Sequence, residues 1–235
     1  MIVADSNNDG IINKAEKDAD TDSKSDITVN FSGANAGDIV VLKDSDGNEI
    51  ARHPLTAEEA ASGTYTFPNV VDIPTTGEIK VTAQFIDAAG NEGNTGEDSA
   101  TVDAEIDAPI VSIAKDNGRI EPSDVNNGVT TATVSLPPTA KAGDKLTVVD
   151  QDGNVLNKDK VDANTPDVSM NDYVLTEEDI AQGSITVTVK PTEPGTETVV
   201  TATLTDPVGN TATGSNKAIS AVDVTPNEPE QTETP

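Results

Sequence analysis

Three segments of this chain occur twice, in the same order. Ala36-Gly37-Asp38 through Asp46-Gly47-Asn48-Glu49-Ile50 returns as Ala142-Gly143-Asp144 through Asp152-Gly153-Asn154-Val155-Leu156. Leu55-Thr56-Ala57-Glu58-Glu59 with Gly63 returns as Leu175-Thr176-Glu177-Glu178-Asp179 with Gly183. Val81 to Asp87 with Gly90-Asn91 returns as Val200 to Asp206 with Gly209-Asn210. The separations are 106, 120 and 119 residues, so two homologous units of about 110 residues follow. The spacing predicts units over 1–107 and 108–225, joined at Asp103–Pro109, with an insertion near 157–172 in the second. Residues 226–235 are rich in Pro, Glu and Thr and read as a linker.

Within each unit the hydrophobic period is two. Ile27-Thr28-Val29-Asn30-Phe31, Ile79-Lys80-Val81-Thr82-Ala83 and Ile185-Thr186-Val187-Thr188-Val189 alternate apolar and polar residues, the pattern of half-buried strands. Asp46-Gly47 and Asp152-Gly153 sit between apolar runs and predict hairpin turns. Thr56 with Glu59 and Thr176 with Asp179 have capping-box spacing, and Gly63 and Gly183 suit a left-handed helix stop, so one short helix is expected per unit. The fold class is therefore all-β, two tandem antiparallel β-sandwiches.

The core must be thin. Val, Ile, Leu and Phe together number 51 of 235 residues, about 22%, and Val plus Ile make up 41 of them. The chain carries 14 Lys+Arg against 42 Asp+Glu, a net charge of −28. Such a chain is repelled by nucleic acid and by anionic lipid, which bind through Lys and Arg. No apolar run is long enough to span a bilayer, and the first residues show no signal-peptide pattern. With no Cys and one His, thiolate metal sites, disulfides, cysteine nucleophiles and Ser-His-Asp triads are all disfavoured. No enzymatic activity is expected. His53, ahead of Pro54, reads as a surface residue. A glycoside-cleaving carboxylate pair would need an aromatic-lined cleft, and there are only five Phe and Tyr residues.

Carboxylates in excess suit calcium, a hard cation that takes oxygen ligands. Asp5-Ser6-Asn7-Asn8-Asp9-Gly10-Ile11-Ile12-Asn13-Lys14-Ala15-Glu16 fits the twelve-residue calcium loop. Asp5, Asn7 and Asp9 occupy positions 1, 3 and 5. Gly10 falls at the sharp turn and Ile11 offers its carbonyl at position 7. Ile12 points an apolar anchor inward. Asn13 stands at the water-mediated position 9, and Glu16 supplies the two-oxygen ligand at position 12. The spacing matters because six or seven oxygens must converge at about 2.3–2.6 Å. No helix enters the loop, which argues against a paired EF-hand.

The matching place in the second unit, Asp116 to Asp124, keeps Asp116 but loses the oxygen spacing and puts Arg119 inside the loop. Asp103, Glu105 and Asp107 from the joining segment are candidates to complete a cation site with Asp116. A plain Asp-rich linker is the alternative. Asp18, Asp20, Asp22 and Asp26 form either a third cation site or a solvated strand entrance. Asp44, Asp87, Asp150 and Asp206, each ahead of a Gly-Asn pair, suit turns better than metal.

Three features together resemble the bacterial Ig-like repeats of very large surface adhesins, including RTX-type and biofilm-associated proteins. They are the opening Asp-Gly-Ile-Ile-Asn-Lys-Ala-Glu (9–16), the central Gly-Asp (37–38, 143–144), and the closing Asp-Ala-Ala-Gly-Asn (87–91) or Asp-Pro-Val-Gly-Asn (206–210) followed by Val-Asp and Pro. The resemblance implies a secreted, cell-surface stalk of tandem repeats that supports adhesion or biofilm formation. It implies a monomer whose partners are calcium and the neighbouring repeats of the same chain. A module that itself grips a glycan or peptide is the alternative, as is an accessory region of a secreted hydrolase.

Overall fold

A computed structural model describes residues 1–115, 117–160 and 166–221. The chain divides into two compact units between Glu105 and Ile106. The expected linker, 226–235, and Asp116 lie outside the described residues.

Unit 1 contains β1 (Ile11–Asn13), α1 (Lys14–Ala19), β2 (Lys24–Asn30), β3 (Ile39–Lys43), β4 (Glu49–Pro54), α2 (Ala57–Ser62), β5 (Thr64–Asp72), β6 (Thr76–Ile86) and β7 (Glu92–Asp103). One sheet runs β1-β7-β6-β3-β4 and the other pairs β2 with β5. Alternate residues of β2 and β5 meet alternate residues of the larger sheet. Ile27, Val29 and Phe67 pack with Val40, Leu42, Ile79, Val81 and Val102 in one core. That is the layered arrangement period-two patterning demands, because each sheet can hide only one face. Ahead of β1, Ile2 and Ala4 are buried and Val3 is exposed, and Ile2 bridges to Ile27.

Unit 2 contains β8 (Ile110–Ile113), β9 (Arg119–Ile120), β10 (Thr130–Ser135), β11 (Lys145–Asp150), β12 (Asn157–Lys158), β13 (Tyr173–Val174), α3 (Glu177–Gln182), β14 (Ser184–Val189), β15 (Glu197–Thr205) and β16 (Thr211–Ser220). Its sheets run β12-β14-β10-β8 and β13-β11-β15-β16-β9. Both units are therefore all-β sandwiches. The insertion after Leu156 has a consequence. In unit 1, β4 stays beside β3 throughout. In unit 2 the matching edge leaves for the other sheet as β12, paired with β14, and returns to β11 as β13. One edge strand serves both layers.

Among the described residues antiparallel pairing dominates, with one parallel pair per unit. β1 runs parallel to β7, and β9 runs parallel to β16. Both short strands bury one isoleucine completely, Ile12 and Ile120. Full burial of such a side chain contributes about 1.5–3 kcal/mol.

The expected capping helices are present. Thr56 caps α2 and Thr176 caps α3, each with a reciprocal bond from its Glu59 or Asp179 partner. Gly63 at φ 73° and Gly183 at φ 70° end them in the left-handed region. A third helix, α1, was not expected from the sequence. Its signal is Asn13-x-x-Glu16, a capping box that the calcium-loop reading absorbs.

Candidate metal centre

The loop from Asp5 to Gly10 turns tightly around its own first carboxylate. Asp5 is 5% exposed. Its Oδ1 accepts the Asp9 amide at 3.1 Å and its Oδ2 accepts the Gly10 amide at 2.9 Å. Asn7 Oδ1 accepts the Asp9 amide at 2.9 Å, and Asp9 Oδ1 accepts the Ile11 amide at 2.8 Å. The chain makes the bend by placing Asn8 at φ 57° and Gly10 at φ 83°. A short polar residue and a glycine are the two types that take this conformation cheaply. Asn7 Nδ2 donates to Asp9 Oδ2 at 3.0 Å, bringing the side chains of positions 3 and 5 together.

Asn13 and Glu16 sit at the start of α1. Glu16 Oε2 accepts the Asn13 amide at 3.1 Å, and Asn13 Oδ1 accepts the Glu16 amide at 3.1 Å. The other oxygen, Oε1, accepts from Ser6 Oγ at 3.0 Å. So Glu16 folds back over the loop and is tied to one of its members. Ile11 lies in β1 and Ile12 is buried beneath it.

The donor set is all oxygen and carries three carboxylates, which suits a hard divalent cation. No group of three or more His, Cys, Asp or Glu side chains among the described residues is gathered as a ready ligand shell. The carboxylates instead point at the loop's own amides. The residue types fit calcium, and the present arrangement satisfies the loop through its backbone.

Asp103 ends β7 and stands in register with Asn13 across the parallel pair. The structure thus places Asp103 beside the far end of the same loop. Asp107 belongs to unit 2, where its amide donates to Thr139 Oγ1 at 3.0 Å and its Oδ2 accepts from the same hydroxyl at 3.4 Å.

Asp18 is drawn away from the Asp18–Asp26 run, while Asp20, Asp22 and Asp26 stay near one another. Asp18 pairs with Lys14 at 2.9 Å. Asp22 accepts the Lys24 amide at 3.0 Å and Asp26 accepts the Asn69 amide at 2.8 Å. Burial, with Asp22 and Asp26 nearby, holds the Asp20 carboxyl above the usual carboxylate range.

Four carboxylates build one turn four times. Asp44, Asp87, Asp150 and Asp206 each accept the amides two and four residues ahead on one oxygen. On the other, each accepts Nδ2 of Asn48, Asn91, Asn154 or Asn210. The Asn48 and Asn91 bonds pull Asp44 and Asp87 below the usual range. Burial opposes this at Asp150, where the Asn154 bonds prevail.

Two side-chain clusters had little signal in the sequence. His53, expected at the surface, is half-buried. It stacks on Tyr65 at 3.8 Å and its Nε2 meets Glu59 Oε2 at 2.9 Å. In unit 2, Asp179 is buried and accepts from Lys158 Nζ at 2.8 Å and Tyr173 Oη at 2.9 Å. Burial pushes the Asp179 carboxyl up, but the bonds from Lys158, Thr176 and Tyr173 outweigh it and hold it at about 2. In unit 1 the capping carboxylate Glu59 is tied to His53, which stacks on Tyr65; in unit 2 Asp179 is bonded to both Lys158 and Tyr173. His53 and Tyr173 each stand six residues ahead of the capping acid, a spacing the two units share, whereas Lys158 comes from β12 and no spacing reveals it.

No protein-family model matches the chain, and no curated protein matches it. Among solved structures, it is similar to a 1.5-MDa bacterial ice-binding adhesin, at 19% identity and TM-score 0.39, covering 92% of this chain and 61% of that one. It is also similar to a tetra-tandem repeat in the extending region of a large adhesion protein, at 17% identity and TM-score 0.28, covering 84% and 45%. A third likeness is to fibronectin(III)-like modules of Clostridium thermocellum CbhA, at 11% identity and TM-score 0.34, covering 85% and 87%. The neighbours are thus adhesin repeats and fibronectin-like modules. At such scores the likeness carries no argument about activity.

Proposed function

We propose that this chain is a structural extender region of a bacterial surface adhesin, stiffened by calcium. The observation that carries the reading is the duplicated sandwich with an oxygen-rich loop built into its closing parallel strand. That loop leads directly into β1, which is hydrogen-bonded to the last strand of unit 1. A cation held there would act on the seam where the unit's first and last segments meet.

Asp5, Asn7, Asp9, the Ile11 carbonyl, Asn13 and Glu16 are the residues that would hold the ion. Asp103 stands next in line through its register with Asn13, and Asp107 and Asp116 belong to the same proposal for the joining segment. Bound calcium supplies positive charge that offsets clustered carboxylates. The protein's own part is to pre-bend the loop on the Asp5 carboxylate and to anchor it with Ile12. The unit spanning 1–107 carries a charge of −16, against −9 for 108–225, so the region with the complete loop gains most from a cation. The adhesin neighbours agree with a cell-surface setting and with tandem repeats as partners.

Calcium titration followed by calorimetry and small-angle scattering tests this. A cation that binds only the folded state adds about 2.7 kcal/mol at a hundredfold excess over Kd. Melting and maximum dimension that are identical in calcium and in chelator would sink the reading.

A further inference from the structure

Unit 1 has an open groove where unit 2 is closed. The groove is about 240 Å³ and is lined by Met1, Val29, Asn30, Ala83, Gly96 and Glu97 among others. It lies between β2 and the β6–β7 pair, along the side of the sandwich. In unit 2 the equivalent side can be located by register. Ile2 bridges Ile27 as Ile113 pairs with Ala132. Ala83 pairs with Gly96 as Ala202 pairs with Gly214.

What fills that side in unit 2 is the chain just ahead of β8. Ile106 packs against the unit's core and Pro109 is buried. The Pro109 carbonyl passes so close to Gly214 that a Cβ built there would collide with it. Gly214 is thus a glycine made necessary by a neighbouring backbone. Its counterpart Gly96 is also glycine, yet a Cβ there would meet nothing within 4 Å. At Gly96 the same clearance stands open.

We infer that the unit 1 groove receives an extended Ile-Asp-Ala-Pro-type segment, laid in as Ile106–Pro109 is laid in unit 2. The mode is strand addition beside β2, with an apolar side chain at the position of Ile106 and a tight backbone pass over Gly96. The donor is the joining segment of a neighbouring repeat. That donor identity rests on the extender reading, while the groove and its fit do not.

The test places Ala-Glu-Ile-Asp-Ala-Pro-Ile-Val ahead of Met1 in the full chain and compares it with the same extension carrying Asp in place of the first Ile. Both lose the Met1 ammonium contacts to Thr28 and Asp98 equally, so the comparison isolates the apolar fit. The Ile form is expected to raise the first unit's melting temperature by several degrees over the Asp form and to perturb Gly96 and Asn30 resonances. In a Gly96→Leu background, where the new side chain fills the open space, the gain should vanish. Equal melting of the two extensions, or a gain that survives Gly96→Leu, overturns the proposal. All arms are run in calcium and in chelator. Loss of the calcium response alone would count against the extender reading and leave the groove standing.

Discussion

Among the described residues, the segments leading into the parallel strands of the two units are tied down by different groups. In unit 1 the buried Asp5 carboxylate sits inside the bend and accepts two amides. In unit 2 the residue following β8 is the exposed Ala114, and Lys115 ties the loop from outside, donating to Asn216 Oδ1 at 3.0 Å and to the Lys217 carbonyl at 2.8 Å. Both loops deliver a fully buried isoleucine to the seam. An internal anion leaves room for a cation to be gained or lost, whereas an external ammonium already supplies its charge. On the proposed calcium reading, the Asp5–Glu16 loop is the one whose tie would change with the cation.

The largest test of that contrast lies in the capping carboxylates. Asp179 is buried among Lys158, Tyr173 and Thr176, while Glu59 keeps partial solvent access. Asp179→Ala strands a charge and should cost unit 2 about 3 kcal/mol. Glu59→Ala should lower unit 1 melting much less. Tyr173 reports on unit 2 in a Tyr65→Phe background, so its fluorescence can follow that unit alone. The pH dependence has a definite sign. A carboxyl lowered from 3.8 to about 2 contributes fully above pH 4 and loses that contribution as pH falls toward 2. The amount is about 2 kcal/mol. Asp179→Asn should flatten this acid limb; an unchanged limb would show that the network does not drive it.

Calcium withdrawal should come next in size and should separate the units. Unit 1 is expected to melt earlier in chelator while unit 2 holds, because additivity applies across distant sites. Asp5→Ala should remove the calcium response. Even in chelator it should destabilise unit 1 by about 1–3 kcal/mol, since the Asp9 and Gly10 amides lose their acceptor.

Much of this architecture is visible in the chain before any folding. Alternating Val and Ile mark β2, β6 and β14 because each faces solvent on one side, and Thr56/Glu59/Gly63 encode α2 through local bonds. The parallel strands β1 and β9 are hidden because they are three and two residues long and gain their identity from partners 90 and 100 residues away. The strand switch at β12 is hidden for the same reason. The oxygen spacing of Asp5–Glu16 is legible as a donor list. Its amide bonding is not, since backbone geometry decides whether carboxylates face inward to a cation or back to the chain.

The smallest expected effect compares one turn in two settings. Asp87–Asn91 and Asp206–Asn210 make the same bonds, with Nδ2 distances of 2.8 and 2.7 Å. Asn91 is exposed, and Asn210 is 2% exposed. Where water can replace the lost amide, truncation is cheap; where it cannot, the Asp206 carboxylate loses a donor that nothing replaces. Asn210→Ala should therefore cost unit 2 about 1–2 kcal/mol and Asn91→Ala should cost unit 1 about half of that or less. Equal losses in thermal melts of the two variants would mean that burial does not set the strength of these turns.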